Sequence, residues 1–329
     1  MTKFLNDPEQ AVTESLRGFG RAHADLVQVA EAPRFVRRRA LVPGKVAIIS
    51  GGGSGHDPLH AGFVGRGMLD AAVPGEVFSS PAPDQILAAA QAVTNQAGLL
   101  CLIKNYGGDI MNFELAMDLF DAPNASVVIE DDVGAAGGQT TVGRRGVAGT
   151  VVVEKIVGAA AEHMADLESC AVLARQVAAV TRSMGVALGG CRAPTSNRPN
   201  LALALGEMEM GVGIHGEPGR RRAPVAPADA IAEELTATIL DDLAPPPGAP
   251  LLLFVNGLGG TPLMELYILY DAAARLIAAR GFTVARSLVA PLVTSLEMPG
   301  ASITLTTLDE RLIDLWDDPV HTPGLRWGA

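Results

Sequence analysis

Short apolar runs alternate with amphipathic stretches along most of the chain. Residues 46–49 are apolar and rich in β-branched side chains, which predicts a buried parallel strand. Gly51, Gly52, Gly53 and Gly55 follow at once and read as a loop, and Pro58 suits the first turn of a helix running to about residue 66. Residues 99–104 and 126–130 are two more buried strands. Each leads through a polar or glycine-rich loop (105–109, 134–146) into a helix, over 110–120 and 147–163, and a further helix covers 166–182. Upstream, the spacing of Val12, Leu16, Phe19, Ala22, Leu26 and Val29 predicts a helix over 9–30, with a short edge strand at 34–36. Residues 68–75 read as a turn with room for a short strand. A helix covers 84–96.

The units 45–66, 99–120 and 126–163 repeat one theme of strand, loop and helix. That alternation implies an α/β fold with a mainly parallel sheet covered by helices on both sides. Ligand groups in such folds lie at the carboxyl ends of the strands, where His56, Lys104, Asp109 and Asp132 fall. A second set of elements starts near 184. Strands are expected at 184–191, 207–213, 251–255, 282–289 and 302–306, and helices at 228–243 and from Pro262 to Arg280. The expected division is a first α/β domain over 1–183, a second over 184–316, and an extended tail, 317–329, packed back onto the first. Trp316 and Trp327 flank that tail and argue against its being free.

Composition narrows the partners. Of 329 residues, 48% are hydrophobic, enough for a large core, and the net charge of −11 argues against nucleic acid. Arg37–Arg39 and Arg220–Arg222 read as solvated clusters. Cys101, Cys170 and Cys191 have no metal-ligand spacing and read as buried thiols of a reducing compartment. The first residues are too polar for a signal peptide and no run is long enough to span a membrane, so the expected location is cytoplasmic.

The glycine run fits neither a P-loop nor a clean dinucleotide fingerprint, which leaves a nucleotide-dependent oxidoreductase as a weak reading. His56 is either a satisfied loop histidine or an acid–base group. Asp109 is either a helix cap or, with Lys104 across the same loop, part of a pair that orients and deprotonates a hydroxyl. His215 lies among glycines in Gly213-Ile-His-Gly-Glu-Pro-Gly219 and is either bonded to backbone or a nucleophile toward a carbonyl. His23 and His163 read as exposed helix residues, His60 as facing solvent, and Glu130-Asp131-Asp132 as solvated or capping rather than metal-binding. His321 is given no role.

Six motifs in one order carry a resemblance: Gly51-Gly-Gly-Ser-Gly-His56-Asp-Pro58, Pro74-Gly-Glu-Val-Phe-Ser-Ser-Pro81, Lys104-Asn-Tyr-Gly-Gly-Asp109, Gly143-Arg-Arg-Gly-Val-Ala148, Gly211-Val-Gly-Ile-His215-Gly-Glu-Pro-Gly219 and Trp316-Asp-Asp-Pro-Val-His-Thr-Pro323. Together they resemble the dihydroxyacetone kinase substrate-binding (K) subunit. The resemblance implies two α/β domains, a homodimer, and a ketose held as a hemiaminal on His215. It implies that Gly53, Ser54, Gly55, His56, Lys104 and Asp109 surround the substrate, with Asp109 or His56 as base. No metal site and no cofactor is expected on this chain. The phosphoryl donor, ADP or ATP with Mg, is expected on a separate helical nucleotide-binding (L) subunit, since no such module follows residue 329. The 220–250 segment is shorter than in many relatives, which bears on partner docking. A kinase for a related ketose such as erythrulose and a non-catalytic ketose-binding regulator are the alternatives.

Overall fold

The computed structural model describes residues 3–135 and 143–328. In chain order the elements are α1 (Ala11–Ala22), β1 (Val27–Glu31), β2 (Arg34–Arg38), β3 (Ala47–Ser54), β4 (Ala71–Val77), α2 (Pro83–Val93), β5 (Leu99–Lys104), α3 (Gly107–Asp118), β6 (Asn124–Ile129), α4 (Gly149–Glu162) and α5 (Leu167–Ala179). There follow β7 (Thr181–Ala187), β8 (Glu207–Met210), β9 (Arg221–Pro224), α6 (Ala228–Leu243), β10 (Pro250–Gly257), α7 (Leu263–Ala279), β11 (Thr283–Ala290), β12 (Gly300–Thr307), α8 (Glu310–Asp317), β13 (Val320–His321) and β14 (Arg326–Trp327).

The first sheet runs β1-β2-β4-β3-β5-β6; β4, β3, β5 and β6 are parallel, and β1 and β2 form an antiparallel edge. The second runs β11-β10-β12-β7-β8-β9 and is antiparallel apart from the β10–β11 pair. Side chains alternate between faces along each strand. In β3, Ala47 and Ile49 pack with Ile86 and Phe113 of α2 and α3, whereas Ile48 joins Val152 and Ile156 of α4. In β10, Leu251, Leu253 and Val255 meet α6 and α7, whereas Leu252 and Phe254 join the α4 cluster. Helix α4 is therefore sandwiched between the sheets, and Gly149–Ala161 are all buried. With both faces covered, the central strands carry continuous apolar runs.

Several expectations give way here. The helix over 9–30 ends at Ala22, and 27–31 is β1, because Val27 and Val29 also fit strand alternation and Glu31 pairs with Arg34 across a tight turn. Residues 68–75 contain most of β4. The helix over 166–182 stops at Ala179, and the next strand begins at Thr181 and ends at Ala187 rather than spanning 184–191. Gly51, Gly52 and Gly53 belong to the end of strand β3, not to a loop, and only Gly55 of the run lies past it. No α-helix follows Pro58; there is only a short 3-10 turn, Ala61–Phe63. The tail supplies its bonds instead: Gly324 N–H donates to Gly62 O at 2.7 Å and His321 N–H to Arg66 O at 2.9 Å. The tail is not merely extended, since Trp316 and Asp317 lie in the last turn of α8 and β13 and β14 form a hairpin. The 134–146 loop lies largely outside the described residues.

Candidate active site

The parallel strands end together, and their ends supply the site. Lys104 closes β5 and Asp109 sits in the first turn of α3; both are buried. The Lys104 ammonium donates to Gly51 O at 3.0 Å and to Asp109 Oδ2 at 3.4 Å. The glycines make room for this. A Cβ on Gly52 would lie 2.2 Å from Lys104 Nζ, and one on Gly53 would lie 2.7 Å from Phe78 Cα. Close packing, rather than a free phosphate-binding loop, accounts for that part of the run.

His56 follows β3 and is almost wholly buried. Its Nδ1 lies 2.7 Å from the carbonyl oxygen of Thr294, beyond β11, so the proton sits on Nδ1. That leaves Nε2 with a lone pair, and this buried atom has no hydrogen-bond partner among the described residues. Burial, then the charges of His215 and Lys104, push its pKa well below the usual histidine value, so the ring is neutral. Leu296 N–H also bonds Gly55 O at 2.8 Å, so the loop after β11 clamps the loop after β3.

His215 enters from the β8–β9 connection. Its ring centroid is 4.8 Å from His56, 4.8 Å from Tyr106 and 5.4 Å from Phe78. Glu217 grips it twice: Oε1 lies 2.8 Å from His215 Nδ1, and Oε2 accepts the His215 backbone N–H at 2.9 Å. Burial alone would raise the Glu217 carboxyl. The hydrogen bond and charge of His215, with Arg145 nearby, outweigh it and hold the carboxyl at about 2. A permanent carboxylate on Nδ1 keeps the proton there and leaves Nε2 as the nucleophilic nitrogen. His56, Lys104, Asp109 and His215 thus converge. Gly53, Ser54 and Gly55 line a neighbouring cavity of about 560 Å³ between the glycine run and residues 3–16. Lys104, Asp109 and His215 do not line that cavity, so it is the convergence of these side chains, not cavity size, that marks them as a candidate site.

Three other expectations are corrected. His60 does not face solvent; it is buried, with Nδ1 2.6 Å from Glu154 Oε1 and Nε2 2.9 Å from Lys104 Nζ. Of the two readings of Asp131 and Asp132, solvated or capping, solvation is corrected, since both are buried, and capping holds. Asp131 accepts from Val147 N–H, Gly149 N–H and the Ser183 hydroxyl, capping α4 from outside the helix. Asp132 pairs with Arg145 at 2.7 Å, and Arg145 also holds Gly211 O, which ties down the loop carrying His215. Arg38, expected in a solvated cluster, is buried against Glu162. The roles of Glu154, Glu217 and Thr294 were missed. The lone Glu154–Lys155 pair inside an otherwise apolar helix was the available signal for the first, and the spacing of two from His215 for the second. Among the described residues no cluster of three or more His, Cys, Asp or Glu side chains could hold a metal, and no helix is long and apolar enough to cross a membrane.

An α/β protein with a histidine, a lysine–aspartate pair and a buried imidazole at its strand ends is one the six motifs already resemble. The chain belongs to the Dak1 domain family, whose model matches residues 17–324, and within it to the DhaK type. It is 42% identical to the dihydroxyacetone-binding subunit DhaK of the PEP-dependent dihydroxyacetone kinase of Escherichia coli, each chain covered in full. It is 45% identical to the DhaK subunit of the PTS-dependent dihydroxyacetone kinase 1 of Listeria innocua, over 98% of this chain and 99% of the relative. The crystal structure of the dihydroxyacetone kinase of C. freundii matches with a TM-score of 0.90 and 34% identity, over 99% of this chain and 60% of that one.

Proposed function

We propose that this chain is the ketose-binding subunit of a dihydroxyacetone kinase, a phosphotransferase acting on an alcohol group. The observation that carries the reading is His215, fixed on Nδ1 by Glu217 and set against His56, beside the Lys104–Asp109 pair. Its Nε2 electron pair forms a bond to the ketone carbon, and the carbonyl π pair moves to oxygen. That oxygen gains a proton as the ring loses one, so the neutral hemiaminal is imidazole plus ketose with nothing left over. The Glu217 carboxylate stabilises the charge that builds on the ring. Glycerol, which has no carbonyl, is excluded. A three-carbon ketose offers few atoms for non-covalent affinity, and the covalent anchor supplies what contacts cannot.

The terminal hydroxyl then lies against Asp109, which takes its one proton as the oxygen attacks phosphorus, while His56 Nε2 accepts a hydrogen bond from a second hydroxyl of the ketose and so orients it. The buried His56 imidazole, beside the Lys104 ammonium, is disfavoured from taking on a positive charge, so Asp109 is assigned the role of base and His56 the orienting one. Lys104 offsets the negative charge of the transferring group. Gly53, Ser54 and Gly55 form the adjoining wall. The donor, ATP with Mg or a bound ADP recharged by a phosphotransferase relay, is carried by a separate nucleotide-binding L subunit; this chain holds no cofactor, acts in the cytoplasm and pairs as a homodimer. The units 1–183 and 184–316 are the two α/β domains, with 317–329 returning to the first.

An assay with dihydroxyacetone, first with ATP alone and then with an L subunit and its donor, tests this. Product is expected only with the L subunit. Product from ATP alone would overturn the division of labour, and no product with any donor would favour a ketose-binding regulator. Erythrulose in the same assay decides the substrate.

A further inference from the structure

Helix α4 is apolar along nearly its whole length, yet Glu154 is wholly buried within it. An unpaired carboxyl there would be costly. Its Oε1 lies 2.6 Å from His60 Nδ1, and His60 Nε2 lies 2.9 Å from Lys104 Nζ. Three acceptors therefore surround the ammonium: Gly51 O, His60 Nε2 and Asp109 Oδ2. An ammonium has three N–H bonds and no lone pair, so it can only donate. His60 Nε2 must accept, its proton must sit on Nδ1, and Glu154 Oε1 must receive that proton. The tautomer follows from the chain of contacts.

We propose that Glu154 and His60 are positioning residues for phosphoryl transfer. Glu154 fixes the His60 tautomer, and His60 aims the Lys104 ammonium at Asp109 and the hydroxyl beside it. This rests on the reading of Lys104 and Asp109 as the groups that handle that hydroxyl. A lysine is a point charge on a flexible stem, so one contact at 3.4 Å does not hold it. The backbone carbonyl of Gly51 and His60 Nε2 hold it from the other sides, and the missing Cβ of Gly52 gives it room. Burial, then the charge of Lys104, lower the His60 pKa well below the usual value, which keeps the ring neutral and its Nε2 an acceptor. His60 lines the cavity beside Gly53, Ser54 and Gly55, and its Nε2 is turned to Lys104, so its effect on the hydroxyl runs through the ammonium.

The test uses the whole chain with its L subunit and donor, comparing wild type with His60→Leu and His60→Gln. Leucine keeps bulk and loses the acceptor, whereas glutamine carries an amide oxygen able to reach Lys104. His60→Leu is expected to lower kcat by about 10- to 100-fold, the size of one charge-assisted hydrogen bond lost at the transition state. KM and covalent ketose capture should stay within about threefold. His60→Gln should recover most of kcat. Unchanged kcat in His60→Leu, an equal loss in capture, or no recovery in His60→Gln would each overturn the proposal. A wild type that neither captures nor phosphorylates the ketose would instead overturn the functional reading. Imidazole nitrogen NMR of the wild type needs no variant to fold: an Nδ1–H, Nε2-unprotonated His60 is expected, and an Nε2–H tautomer would contradict the chain of contacts.

Discussion

Glu217→Gln is the sharpest single-residue probe of the anchor. It preserves shape and removes the charge that holds the His215 proton on Nδ1. Ketose capture should fall by about 10- to 100-fold, the scale of a charge-assisted hydrogen bond, measured as the ketose concentration giving half-maximal labelling of the chain. The pH dependence has a defined sign. With the carboxyl at about 2, below its ordinary 4.5, the folded chain binds fewer protons there than the unfolded chain does. Its contribution to stability is complete above 4.5 and is lost as pH falls through 2. Any loss of capture between pH 5 and 7, followed by titrating wild type beside Glu217→Gln, should therefore come from groups other than Glu217. His56, His215, Lys104 and Asp109 were legible as candidates because each adjoins a glycine-rich stretch: Gly51–Gly55 before His56, Gly107 and Gly108 between Lys104 and Asp109, and Gly213 and Gly216 about His215. The distant partners were not, since Thr294 lies 238 residues from His56, and Glu154 lies 94 residues from the His60 that contacts Lys104.

The elements were legible where one period dominates. β5 falls on 99–104 and α6 on 228–243, as the apolar spacing requires. The glycine run misled because glycine has no side chain to show alternation. It stays in the sheet because Gly51 pairs with Val73 on one side and Ile103 on the other. The segment after Pro58 misled because its carbonyl partners come from the tail, some 260 residues on in sequence. Helix α4 has a cap of the same long-range kind. Asp131→Ala should leave the N–H groups of Val147 and Gly149 without their acceptor and cost about 2–4 kcal/mol. A lower denaturant midpoint at unchanged slope is the expected result. An unchanged midpoint would mean that α4 is not fastened there.

At the scale of the molecule, the site exists only because two sheets meet. β3, β5 and α3 bring His56, Lys104 and Asp109, while the second sheet's loops bring His215 and Thr294. Sequence periodicity describes each sheet separately and carries no record of their meeting; only the ordered set of motifs pointed to it. The central claim is that His215 binds the ketose covalently. The direct measurement is NMR of carbonyl-labelled dihydroxyacetone on chain labelled with heavy nitrogen in histidine. A one-bond carbon–nitrogen coupling that vanishes in His215→Ala is predicted. Free ketone and hydrate signals alone at saturating ketose, identical in wild type and His215→Ala, would contradict it.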